Sequence, residues 1–151
     1  MAKKILTDVT LSVKGVDLSN NVQQISVPFS TDEVDVTAMG DDEKATLLGM
    51  GSGEITATLF QDFDETGVDA TLEPLKGKNE PFVVIVKPTS GEVSKTNPAY
   101  AMPKALLPNY NPINGAVGAA SQTDVAFKNA GGTGGGIKRL IKKEEVEALE
   151  E

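Results

Sequence analysis

Apolar and polar residues alternate most cleanly just past the middle of the first half of the chain. Ile55, Ala57 and Leu59 point one way, and Glu54, Thr56 and Thr58 the other. A period of two with β-branched residues marks a half-buried strand. Glu33–Met39 reads as a second strand, with Val34, Val36 and Ala38 on one side. Between them, residues 40–53 form a polar, glycine-containing connection that is too long for a tight hairpin turn. Such an arm in a small β-domain is either disordered or reaches another subunit.

The remaining pattern is also mostly strand. Ile5–Lys14 sets Val9, Leu11 and Val13 against Thr10 and Ser12, and Gly15 ends it. A turn-rich stretch, Val16–Asn21, leads into Val22–Phe29, where Ile25, Val27 and Phe29 form the expected core face. Pro28 cannot donate to a ladder and points to an edge or bulge there. Gln61–Gly67 is an acidic turn. Val68, Leu72 and Leu75 then share a helical stripe over Val68–Leu75, with Thr66 or Asp69 as the cap. Pro74 limits that helix and Gly77 marks its end. Pro81–Lys87 is the most apolar run and reads as a central strand with Phe82, Val84 and Val86 inward. Val83 and Ile85 then need a cover of their own, from a second layer of the same domain or from a neighbour. Tyr100–Leu107 is a strand interrupted by Pro103, Pro108–Gly118 another long connection, and Ala119–Lys128 a last strand with Val125 and Phe127 inward.

These elements predict an all-β domain over residues 1–130, an antiparallel β-sandwich or barrel with one short flanking helix and a long inter-strand loop. Composition changes after it. Residues 131–136 are a glycine-rich hinge, without the Gly-Lys-Ser/Thr or strand–helix context of a phosphate-binding loop. Residues 137–151 are a charged extension, helical or disordered. Its basic half precedes its acidic half, against the helix dipole, although Lys143 and Glu147 are spaced to pair. Leu140, Ile141, Ala148 and Leu149 make an imperfect apolar stripe, and a free helix this short is marginal in water.

The chain has 151 residues and is 39% hydrophobic, enough for one domain with a modest core. Asp and Glu outnumber Lys and Arg by 22 to 14, a net charge of -8, which argues against a protein that grips nucleic acid. It does not argue against a surface that DNA passes without sticking. There is no histidine and no cysteine. That removes Cys/His zinc sites, thiol nucleophiles and Ser-His-Asp triads, along with the commonest general base. No metal and no cofactor is expected. The acidic turn brings calcium to mind, because Glu73 is twelfth counting from Asp62. Thr66, Val68 and Ala70 break the ligand spacing, however, and Ala70–Lys76 reads as helix. No window nears a membrane span, and no apolar stretch follows Met1-Ala-Lys-Lys to make a signal peptide. The lack of cysteine is compatible with the cytoplasm.

The opening KKILTDVTLSVKGVDLSNNVQQISVPFSTDEVDVTAMGD resembles the small major tail proteins, or tail tube proteins, of long-tailed, non-contractile bacteriophages. So do GEITATLFQDF, VDATLEPL, FVVIVKPTSGEVSKTNPAYAM and PINGAVGAASQTDVAFKNAGG, in the same order over roughly residues 1–132. The resemblance implies a β-sandwich subunit that closes into rings, usually of six. The rings stack into a tube in the virion tail that genomic DNA traverses without sequence-specific binding. It implies tail tip, tape measure and tail terminator proteins as partners, synthesis in the host cytoplasm, and no enzymatic activity.

On this reading the arm contacts the adjacent ring, and Met39, Asp41, Asp42, Lys44, Leu47, Leu48 and Met50 are its candidate contact residues. A lumen should be polar and not basic, since condensed phosphate contacts would hold DNA in place. Asp35, Glu54, Asp62 and Asp124 are the candidates to line it. Simple solubility and an intramolecular hairpin core are the plainer roles for these two groups. The alternative function is a virion decoration or tail-accessory β-domain protein, bound to a lattice it does not build. A carbohydrate-binding module is remote, because the chain lacks Trp and has only Tyr100 and Tyr110 for a platform.

Overall fold

The computed structural model describes residues 8–131 and 136–150. Its strands are β1 (Thr10–Val13), β2 (Val16–Asp17), β3 (Val22–Ser26), β4 (Phe29–Asp35), β5 (Thr46–Phe60), β6 (Phe82–Lys87), β7 (Ala99–Leu106), β8 (Gln122–Asn129) and β9 (Lys138–Leu140). Two short α-helices, α1 (Val68–Leu72) and α2 (Lys143–Glu150), complete it. The sheet order is β2-β1-β6-β7-β8-β5-β3, with β4 on β5 and β9 on β7, and the strand pairs are antiparallel. The sheet curls into a half-barrel closed over one core, as the all-β expectation required.

That core is built from the predicted alternations. Leu11 and Val13 come from β1, Ile55, Ala57 and Leu59 from β5, Phe82, Val84 and Val86 from β6, and Val125 and Phe127 from β8. Phe82 and Phe127 meet edge to face, ring centroids 5.9 Å apart. The helical stripe Val68, Leu72 and Leu75 seals one side. Neither Thr66 nor Asp69 caps α1 through its side chain. Gly67 is the N-cap, and the entry is fixed instead by the Asp69 amide donating to the Asp62 carbonyl (3.0 Å). Gly77, at φ 66°, ends the segment as expected.

Two expectations need correction. The first concerns Phe29, which is not core. Pro28 breaks the strand, Phe29 opens β4, and the ring is exposed, whereas Ile25 and Val27 do pack against the core. The second concerns residues 40–53, which are not one long loop. β5 begins at Thr46 and β4 ends at Asp35, so the arm is a β-hairpin whose turn is residues 36–45. Val34 and Val36 are exposed. Gly49, Gly51 and Gly53 sit inside β5. The Phe29 ring tip lies 2.7 Å from where a Cβ on Gly51 would be, so the aromatic ring covers glycine across the ladder. The extension forms β9 and α2. β8 pairs with β7 only at Ala105 and Leu106, leaving the Ala99–Ala101 edge open, and β9 fills it. Leu140 is thereby buried with Ile85, Ala99 and Ala101, flanked by Val83, Val93 and Val146. The cover that Val83 and Ile85 required is therefore a second layer of the same chain. Ala148 is exposed, while the side chains of Lys143, Glu147 and Leu149 and most of the hinge (132–135) lie outside the described residues, as do residues 5–7 of the first predicted strand. Among the described residues no helix is long and apolar enough to cross a membrane.

Candidate assembly surfaces

The arm is held rigid by short-range polar bonds and left apolar on the outside. Opposed residues of an antiparallel ladder share a face, so Val34 stands beside Leu47 on one face and Leu48 opposite Glu33 on the other. A bulge between Thr31 and Glu33 separates this outer part from the base, where Phe29 faces Gly53. In the turn, Asp41 accepts from the Ala38 amide (2.8 Å) and the Thr37 hydroxyl accepts from the Ala45 amide (2.8 Å). Asp35 accepts from the Thr37 amide (2.9 Å), and the bonds from Thr37, side chain first, hold its carboxyl below the usual carboxylate range. Gly40, at φ 99°, makes the reversal that other residues resist. On this frame Met39 is fully exposed, Met50 83%, Leu48 68% and Leu47 61% exposed, and Asp41, Asp42 and Lys44 are also at the surface. Exposed apolar side chains on both faces of the hairpin, among its charged residues, make it a candidate interaction surface.

The open face of the sheet lies behind the core. There Glu54, Thr56 and Thr58 of β5 stand opposite Lys128, Ala126 and Asp124 of β8, with Gln24 and Ser26 of β3 alongside. Glu54 forms an ion pair with Lys128, and the Thr58 hydroxyl donates to Asp124 (2.7 Å). Of the four lumen candidates, only Glu54 and Asp124 are brought together on this face. Asp35 sits out on the arm and Asp62 in the turn past the other end of β5. The face is polar and of mixed charge, because Lys128 offsets one carboxylate.

The opposite end of β5 carries a surface that sequence reasoning passed over. Phe60 and Phe63 are exposed there, as are Ile113 and Val117 on the connection between β7 and β8. This connection is anchored. Gln61 donates from Nε2 to the Tyr110 hydroxyl (2.9 Å) and to the Pro112 carbonyl (2.7 Å), and Tyr110 donates to Asp69 (2.9 Å). Burial pushes the Tyr110 hydroxyl up to about 12, so it remains a neutral donor in this clamp. The available signal was two large apolar residues in residues 111–120, which are otherwise Gly, Pro, Asn and Ala. Among the described residues no three Asp or Glu side chains converge as metal ligands. In the acidic turn, Asp62 instead accepts from the Asp64 amide (3.0 Å).

No family model matches the sequence, and no curated protein matches it. Solved structures do match in fold. A chain of the extracellular contractile injection system PVC sheath/tube terminator in the extended state superposes with a TM-score of 0.65 at 11% identity, covering 85% of this chain and 93% of that one. A chain of the virion of a native gene transfer agent particle gives 0.64 at 14%, covering 91% and 99%. A chain of the tail of an empty gene transfer agent particle, with C6 symmetry, gives 0.59 at 15%, covering 86% and 92%. This chain has the fold of those subunits. The near-complete coverage of both partners means the likeness spans the whole domain rather than a shared sheet.

Proposed function

We propose that this chain is a structural, non-enzymatic subunit that closes into rings of six and stacks them into a tail tube. The observation that carries the reading is the β4–β5 arm, a hairpin with Leu47, Leu48, Met39 and Met50 exposed and no cover for them among the described residues. A lone domain gains nothing from it, whereas a stacked ring buries it. Closing the sheet around a ring also removes its exposed edges, β2 and β3. The fold shared with gene transfer agent tails and contractile injection systems supports the same reading. The open face with Glu54 and Asp124 is the best candidate for the lumen, polar and without a net basic field to arrest passing DNA. Tail tip, tape measure and tail terminator proteins are the partners this role requires. The subunit would be made in the host cytoplasm and reside in the virion tail.

A second reading is an accessory ring that caps or joins a tube without extending it. The similarity to chains of a sheath/tube terminator and of an anti-feeding prophage baseplate structure favours it. Negative-stain electron microscopy across a concentration series separates the two, with hollow tubes expected for the first and single rings for the second. The decisive variant replaces residues 32–50 by Asn-Gly, joining the register partners Thr31 and Gly51 through a two-residue turn. It should fold and form no tubes, alone or on a supplied tail-tip complex. Tubes of unchanged length and yield would overturn the stacking role of the arm.

A further inference from the structure

The residue that follows each asparagine of this chain decides what its side-chain amide can do. Asn97 and Asn111 precede Pro98 and Pro112, which have no backbone N–H. Asn20, Asn21, Asn79, Asn109 and Asn129 precede Asn21, Val22, Glu80, Tyr110 and Ala130, whose side chains crowd the backbone nitrogen. Asn114 alone precedes a glycine. The fold requires that glycine. Gly115 has φ 151°, a conformation that residues with a Cβ resist. The connection between β7 and β8 is pinned at this point, because the Gln122 amide (3.3 Å) and the Ser121 hydroxyl (3.1 Å) both donate to the Asn114 carbonyl. Among the described residues no peptide bond is cis, and in a trans peptide the N–H points away from the C=O. Holding the carbonyl toward residues 121–122 therefore turns the Gly115 N–H outward. Asn114 and Gly115 are both exposed, and neither that N–H nor the Asn114 side-chain amide has a hydrogen-bond partner among the described residues.

We propose that Asn114 is a self-modification site, where the chain deamidates through a cyclic imide. The Gly115 nitrogen attacks Cγ of Asn114, forms an N–C bond and gives up its proton. The side-chain nitrogen takes a proton and leaves as ammonia. Water then opens the five-membered imide at either of its carbonyl carbons. Opening at Cγ leaves aspartate on the native backbone, and opening at the main-chain carbonyl leaves isoaspartate. The net change is amide plus water to carboxylate plus ammonium, with nothing oxidised or reduced. Either product adds one negative charge to the chain's -8. Isoaspartate also routes the main chain through Cβ and Cγ, one methylene longer, and the carbonyl that Ser121 and Gln122 hold becomes a free carboxylate. The exposed Ile113 and Val117 lie on either side of that insertion. Asn97 shows the opposite case. It is buried, and its side chain is tied to the Thr89 amide and to the Gly91 and Glu92 carbonyls. The fold therefore protects one asparagine and presents another.

The test is to age the folded full-length chain in mildly alkaline buffer and map its peptides by tandem mass spectrometry at intervals. Asn114 should convert before every other asparagine, to a mixture of aspartate and isoaspartate. An isoaspartate-specific methyltransferase should label the same peptide, and isoelectric focusing should show a new band shifted by one acidic charge. Asn114→Gln should lose that first band at an unchanged thermal midpoint, because glutamine would have to close a larger ring. Asn79 and Asn129 are as exposed as Asn114, so conversion there at an equal pace would overturn the proposal. Aspartate without isoaspartate would mean direct hydrolysis and overturn the imide route. A free peptide of residues 111–118 sets the time scale. If the peptide converted fully while the folded chain stayed intact, the fold would be blocking the attack, and the site would be lost.

Discussion

From Glu54 to Leu59, β5 buries every second side chain under its own domain. From Thr46 to Gly53 the same strand, still hydrogen-bonded to a neighbour, buries none. The backbone is continuous and both halves carry apolar residues. The difference is what lies opposite. Ile55, Ala57 and Leu59 share one core with side chains of β1, β6, β8 and α1, and burying Ile55 or Leu59 contributes on the order of 1.5–3 kcal/mol. Leu47, Leu48 and Met50 face solvent on an arm one hairpin thick. A two-stranded ribbon has no inside of its own in which to bury them. Sheet formation and burial are therefore separable in this chain.

The comparison breaks most sharply in the core half. Phe127 is fully buried and packs its ring against Phe82. Phe127→Ala should cost about 3–5 kcal/mol, read as a lower urea midpoint at unchanged slope. A cost below about 1 kcal/mol would mean that the core half is no more committed than the arm. An intermediate case lies on the far face of the sheet. Leu140 is buried only because β9 has docked on the Ala99–Ala101 edge. Leu140→Ala should cost about 2 kcal/mol, the low end for such truncations because the cluster is small. Amide exchange at Ala99–Ala101 should speed up in parallel. Unchanged exchange would show that the extension adds nothing to the isolated subunit.

Much of this was legible where two faces of an element meet different surroundings. The alternation at Ile55–Leu59 and at Val125–Phe127, and the stripe Val68–Leu72–Leu75, predicted their buried sides because one side is core and the other is not. Phe29 misled because it continues the alternation of Ile25 and Val27 across Pro28, where the chain has already left the core. The arm misled because its glycines suggested a loop, whereas Gly51 and Gly53 lie in β5 under the Phe29 ring. β9 was illegible for a different reason. Lys138, Arg139 and Leu140 carry no pattern of their own, and the edge they fill is exposed only because β8 stops short of it. Of the candidate site residues, the apolar members of the arm stood out as large side chains in a polar stretch. Ile113 and Val117 gave the same signal in a second polar stretch and were passed over, because nothing local says that this connection is pinned to Gln61.

The arm gives the smallest effect on folding and the clearest on assembly. Leu47 and Leu48 point to opposite faces of the hairpin, so Leu47→Ser/Leu48→Ser removes apolar surface from both without touching the core. Exposed substitutions of this kind change stability by no more than about 0.5 kcal/mol, and the thermal midpoint should barely move. Serine keeps the strand backbone and its ladder bonds, so any loss of tubes would come from the missing apolar contact rather than from a melted arm. The expected result is a folded subunit that no longer extends a tube. If instead the midpoint fell as far as in Leu140→Ala, these leucines would be stabilising the monomer. The arm would then be an outlying part of the core rather than a surface kept for another copy.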